Sequence, residues 1–169
     1  MKIIQKEYKL YNYEELSEEA KEKALHSHIE NNDYPFLKEE IMMELYELLK
    51  KSKIKAIEVD VYFSLSYCQG DGVMFFGNFE WKSYQVNIKH SGHYYHYNSK
   101  DIDINSIKTS KYASEEIEAE FNELYVEICK KLDTYGYKMI ENDNSEETFK
   151  EDCACNEYTF LEDGVMMNS

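Results

Sequence analysis

Arginine is missing from this 169-residue chain; all nineteen basic residues are lysine. Without a guanidinium fork there is no planar, two-pronged grip for phosphate or carboxylate, which argues against a nucleotide or nucleic-acid site. A genome poor in Arg codons would leave the same trace. Proline occurs once, at Pro35, and glycine six times. No linker, repeat or low-complexity tract breaks the chain, so a single domain over 1–169 is expected, long enough to bury a proper core. No apolar run approaches the length of a membrane span. The opening Met1-Lys2-Ile3-Ile4-Gln5-Lys6 is too short in apolar residues for a secretory signal. The four cysteines, Cys68, Cys129, Cys153 and Cys155, are therefore expected as reduced thiols in a cytosol.

What the chain has in excess is negative charge, −15 in all, and it is unevenly placed. Residues 113–169 hold sixteen Asp or Glu against four Lys, a net of −12; residues 55–112 balance, and residues 1–54 sum to −3. Such a distribution repels nucleic acid and membrane surfaces and attracts basic partners.

Hydrophobic period divides the chain into elements. Residues 2–11 alternate loosely and read as a strand. Ser17, followed by Glu18 and Glu19, N-caps a helix with the small face Ala20, Ala24, Ser27 and His28, stopped at Asn31-Asn32-Asp33. Asp33 and Pro35 open a second helix, whose buried stripe is Leu37, Ile41, Leu45, Leu48 and Leu49. The period then becomes two: Ile57, Val59, Val61 and Phe63 alternate with Glu58, Asp60 and Tyr62. Gln69-Gly70-Asp71-Gly72 is a turn, Val73–Trp81 a returning strand, Tyr84–His90 a third and His93–Tyr97 a fourth. Ser114 caps a long helix ended by Gly136, with Ile117, Phe121, Leu124, Ile128 and Leu132 as its core face. Ser145 starts a short helix over Phe149 and Cys153, and Tyr158, Phe160 and Leu161 suggest a closing strand. Strands gathered at 54–97 between helices give an α+β class: an antiparallel sheet of about four to six strands packed against two or three helices.

Three constellations are candidates for chemistry or recognition. The first is the glycine turn, where Cys68 and Asp71 sit beside backbone that a ligand could approach; the simpler reading is a hairpin whose Asp71 accepts turn hydrogen bonds. The second is His90-Ser91-Gly92-His93-Tyr94-Tyr95-His96-Tyr97. As a strand it would put His90, Tyr94 and His96 on one face and His93 and Tyr95 on the other. Three histidines then cannot converge on a metal without a bend at Gly92, and amphipathic packing of the rings is the simpler reading. Cys68, Asp71, His93 and His96 together form a candidate ligand pocket; no metal or cofactor is expected. Cys153-Ala154-Cys155 lacks the spacing of a zinc knuckle. The third is the acidic surface: Glu115, Glu116, Glu120, Glu123 and Glu127 on the long helix, then Glu146 and Glu147. Carboxylates at helical rise imitate a phosphate track, and Tyr94 and Tyr95 would add contact area at low entropic cost.

Four stretches carry a resemblance that runs in order along nearly the whole chain. They are Tyr13-Glu14-Glu15-Leu16-Ser17-Glu18-Glu19-Ala20-Lys21-Glu22-Lys23-Ala24, Phe63-Ser64-Leu65-Ser66-Tyr67-Cys68-Gln69-Gly70-Asp71-Gly72-Val73-Met74-Phe75, Ser91-Gly92-His93-Tyr94-Tyr95-His96, and Asn156-Glu157-Tyr158-Thr159-Phe160-Leu161-Glu162-Asp163-Gly164. In these the chain resembles a family of phage and prophage accessory proteins often labelled as an antitoxin of a toxin–antitoxin stability system. The interval from Trp81 to Gly92 is shorter than in many of them. The resemblance implies a small mobile-element protein in a bacterial cytoplasm and carries over no catalytic residue.

The expected function is therefore non-enzymatic: an acidic protein that binds and blocks a basic, nucleic-acid-binding host protein, as defence-system inhibitors of the anti-CRISPR type do. Direct nucleic-acid or membrane binding is not expected, and a homodimer is compatible with the sequence. Two alternatives stand beside it. One is an antitoxin neutralising a basic toxin. The other is a metal-binding or hydrolytic protein built on Cys68, Asp71 and His93.

Overall fold

A computed structural model describes residues 7–167. They fall into two compact units, one of residues 7–34 with 140–167 and one of residues 35–139. The class is α+β: four α-helices, a four-stranded antiparallel sheet and a two-stranded ribbon among the described residues.

In the first unit Tyr11 forms an isolated antiparallel bridge to Phe160. The strand expected over 2–11 is thus reduced, in its described part, to one ladder position; residues 2–6 lie outside the described residues. Among the described residues, the strands of this unit are two residues long, too short to pair with the whole period-two stretch. A 3₁₀ turn, Tyr13–Glu15, follows, and the Asn12 amide donates to the Glu15 carboxylate at 2.8 Å. Helix α1, Glu18–Asn31, starts where the cap predicts, with the Ser17 hydroxyl accepting from the Ala20 amide. Ala20 and Ala24 are buried, but Ser27 is exposed and His28 only half-buried, stacked on Phe149 at 4.5 Å. Helix α4, Glu146–Cys155, is capped in the same way by Ser145. Its Phe149 and Cys153 join Tyr13, Leu16, Ala20, Ala24 and Phe160 in one core. Strands β5, Thr159–Phe160, and β6, Met166–Met167, close the unit as an antiparallel pair.

In the second unit α2 runs Leu37–Lys51, starting two residues after Pro35, with the whole expected stripe buried. Strands β1, Ile54–Ser64, β2, Gly72–Trp81, β3, Tyr84–His90, and β4, Lys100–Ser106, form an antiparallel meander in that order. The expected β1 alternation breaks at Ile57, which is 55% exposed. Ala56 faces Phe79 and Glu58 faces Asn78, so Ile57 is the extra residue of a β-bulge. Before it the even positions Ile54 and Ala56 point inward; after it the odd positions Val59, Val61 and Phe63 do. Across the ladder Gly77 takes φ 130°, and a Cβ there would collide with the Glu58 carbonyl.

The fourth strand is not His93–Tyr97, which is an irregular loop of bends, but Lys100–Ser106. Ile102 and Ile104 on it pair with Ile88 and Val86. Helix α3, Glu115–Asp143, starts directly after Ser114, whose carbonyl accepts the Glu118 amide. It passes straight through Gly136, so that residue is not its stop. Gly136 is buried there, and a Cβ on it would come within 2.5 Å of the Leu65 Cδ1. Phe121, Tyr125, Ile128 and Leu132 of α3 are buried, with the Phe121 ring 5.2 Å from Trp81 and the Tyr125 ring 4.6 Å from Phe75. The Tyr125 hydroxyl donates to the Phe75 carbonyl at 3.1 Å, tying helix to sheet.

Candidate functional site

Helix geometry decides how the acids of α3 are displayed. Glu116, Glu120, Glu123 and Glu127 recur at intervals of four, three and four, so they lie on one face, away from the Phe121–Leu132 stripe. All four are exposed, as is Glu115 one position off that face. Lysines answer two of them: Lys82, from the β2–β3 turn, reaches Glu120 at 2.6 Å, and Lys131 reaches Glu127 at 2.6 Å. Glu115, Glu116 and Glu123 make no ion pair among the described residues. Further along the same face the sign reverses at Lys130, Lys131 and Lys138. The acidic face is therefore about three turns long and strongest at its start.

Glu146 and Glu147 belong to the first unit, exposed in the opening turn of α4. Glu146 hydrogen-bonds the Tyr13 hydroxyl, whose pKa is pushed up to about 12, by burial first and then by that carboxylate. The acids singled out in the sequence thus fall in both units.

The glycine turn and the His-Tyr loop do meet. The Tyr94 ring lies so close over Gly70, which takes φ 93°, that a Cβ there would come within 2.7 Å of it; His96 stands likewise 2.9 Å from a Cβ on Gly72. Asp71 holds the turn. Its carboxylate accepts from the Ser66 amide at 2.6 Å, the Cys68 amide at 2.8 Å, the Ser64 hydroxyl at 2.8 Å and the Tyr137 hydroxyl at 3.0 Å. Burial works against the charge, but these donors outweigh it and hold the carboxyl down at about 2. Asp71 is thus a turn organiser with its lone pairs engaged.

The other members of that pocket do not converge. Cys68 is an exposed free thiol whose Sγ lies 3.5 Å from the Ser66 carbonyl. His93 is exposed. The His96 ring lies tilted against Tyr97 at 3.9 Å, takes the Asn98 amide on Nδ1 at 3.2 Å, and has its pKa lowered by burial and then by Lys100. No group of three or more His, Cys, Asp or Glu placed to hold a metal ion occurs among the described residues. Around the pocket stands a set of exposed rings. Tyr94 is 61% exposed and Tyr67 68%, the latter tilted against Tyr137 at 4.6 Å; Tyr95 packs on Tyr62 at 5.0 Å.

Behind this turn lies a charge that sequence reading passed over. Asp133 of α3 accepts the Val73 amide, and its Oδ1 is buried with no hydrogen-bond partner. Burial, with the Asp71 carboxylate nearby, raises its pKa to about 6. One turn earlier the Cys129 thiol is pushed up to about 12 by burial, and Lys100, whose ammonium donates to the Tyr97 carbonyl at 2.8 Å, is lowered by burial. The only local clue to Asp133 was an acid between Leu132 and Thr134, close to the apolar stripe.

No protein-family model, curated protein or solved structure matches this chain. No helix among the described residues is long and apolar enough to cross a membrane. The fold defines an α+β protein.

Proposed function

We propose that this chain is a non-catalytic binding protein of a mobile element. It docks an acidic helix face on a basic, nucleic-acid-binding surface of a bacterial host protein and so blocks it. One observation carries this reading: Glu116, Glu120, Glu123 and Glu127 share the exposed face of α3, and Glu116 and Glu123 are left without a lysine. Unpaired carboxylates at helical spacing attract cationic surfaces over a distance set by ionic strength. The exposed Tyr94 and Tyr95 supply flat, amphipathic area for the same partner. An antitoxin acting on a basic toxin would use the same face and differ only in the protein captured.

The test is capture from a bacterial lysate at low and at high salt, with the bound proteins identified by mass spectrometry. A basic nucleic-acid-binding protein should be retained at low salt. The double variant Glu116→Lys/Glu123→Lys should weaken its binding by roughly tenfold or more and flatten the salt dependence. Retention of the same partner with unchanged affinity would remove α3 from the interface.

A further inference from the structure

The first unit contains a groove of about 900 Å³, within the usual range for a ligand site. The 3₁₀ turn walls it on one side and α4 on the other, and residues 157–159 contribute to its lining. Among the lining residues Tyr13 and Cys153 are buried and Tyr158 is half-buried, giving the groove an apolar floor. That floor is preformed: the Tyr13 ring packs edge-on against Phe149 at 5.2 Å and lies 6.0 Å from Phe160, and the Tyr158 amide donates to the Cys153 carbonyl at 2.9 Å.

The rim has the opposite character. Five glutamates line the groove, Glu14, Glu15, Glu147, Glu151 and Glu157, all exposed, against one lysine, Lys150. Lys150 is already paired with Glu14, and Glu15 accepts the Asn12 amide. Among the described residues the carboxylates of Glu147, Glu151 and Glu157 make no ion pair and no side-chain hydrogen bond. Glu147 and Glu151 stand one turn apart on α4, a like-charge spacing that disfavours the helix when nothing answers it. Apolar floor and uncompensated acidic rim together match one ligand chemistry: a peptide segment carrying an apolar side chain flanked by cations.

We infer that this groove receives a lysine-rich segment of a basic protein. One apolar side chain seats on the Tyr13–Tyr158 floor, and the flanking ammonium groups pair with Glu147, Glu151 and Glu157. The inference rests on the basic-partner reading above and gives that partner a second point of attachment, in the first unit.

The probe is a fluorescent Lys-Lys-Leu-Lys-Lys peptide, amidated at its end, with a Lys-Lys-Ser-Lys-Lys control. The leucine peptide should bind saturably and about tenfold more tightly than the serine one, since only leucine gains from the apolar floor. Ala154→Trp fills the groove without changing charge and should weaken binding about tenfold. Ala154 is exposed on α4, and circular dichroism checks that the variant folds. The isosteric pair Glu147→Gln/Glu151→Gln should weaken binding similarly, and Glu116→Lys/Glu123→Lys should leave it within about twofold. Equal binding of the two peptides, or a folded Ala154→Trp protein that binds normally, overturns the inference. Groove binding of the peptide without capture of any basic host protein defeats the proposed function and leaves the groove standing. Host capture that depends on α3 alone, with no peptide in the groove, does the reverse.

Discussion

Replacing Asp133 by Asn should change how the stability of the second unit depends on pH, in a direction the structure dictates. In the folded chain the Asp133 carboxyl titrates at about 6, against 3.8 for an unperturbed aspartate. Its folded pKa is raised, so the folded state holds this proton more tightly than the unfolded chain does. The contribution favouring the fold is complete below about pH 4 and is lost as pH rises through about 6. Two pKa units correspond to about 3 kcal/mol for a fully buried group. Asp133 is only about half buried, and solvent screening brings the expected effect to about 1 kcal/mol. Asn keeps an acceptor for the Val73 amide but cannot ionise. Relative to wild type, Asp133→Asn should gain about 1 kcal/mol between pH 4.5 and pH 7.5. Urea titration followed by fluorescence is the assay, because Trp81, the sole tryptophan, lies in the same unit and reports its unfolding. Asp71, with its pKa held at about 2, stays ionised across this window in both proteins and so does not titrate in the comparison. Parallel pH profiles for the two proteins would refute the assignment of a strained, half-buried carboxylate at this position.

Three further outcomes follow from single contacts. Asp71→Ala leaves the Ser66 and Cys68 amides without their acceptor; it should destabilise the second unit by roughly 2 kcal/mol and speed hydrogen exchange at those two amides, and slow exchange there would contradict the hub role. Glu157 holds φ 53° just after α4, where its amide and that of Tyr158 turn back to Ala154 and Cys153, so Glu157→Gly should raise the melting temperature of the first unit by relieving about 1 kcal/mol of backbone strain, and a lower melting temperature would count against it. Gly136→Ala should destabilise in spite of alanine's better helix propensity, because its Cβ meets Leu65; combining it with Leu65→Ala should recover part of the loss, and additive effects in the double-mutant cycle would rule out the contact.

The parts of this fold that could be read in advance are those fixed by neighbours in sequence. Ser17 and Ser145 cap helices through hydroxyls that reach three residues on, and the Leu37–Leu49 stripe needs only a period of 3.6 to be recognised. The misreadings each involve a distant partner. The loop at 91–99 carries the aromatic residues that favour strands, yet its rings are taken up by the glycine turn, and the pairing falls to Lys100–Ser106, where only Ile102 and Ile104 are apolar. Gly136 has the composition of a helix stop and becomes instead a clearance for Leu65. The acidic composition pointed to a binding face, and the helical spacing of Glu116–Glu127 was visible, but the ion pairs from Lys82 and Lys131 were not. Asp133 left only a faint trace, its place beside the apolar stripe, because its character comes from burial, from the Val73 amide of β2 and from Asp71 across the fold.

The extra residue at Ile57 reaches beyond its own neighbourhood. β1 borders the sheet on one side only, so its outer amides and carbonyls would otherwise form a straight template on which another chain could add. The irregularity interrupts that template near its start. Removing Ile57 would straighten the rim and lengthen the uninterrupted run of outer amides and carbonyls on which another chain could add.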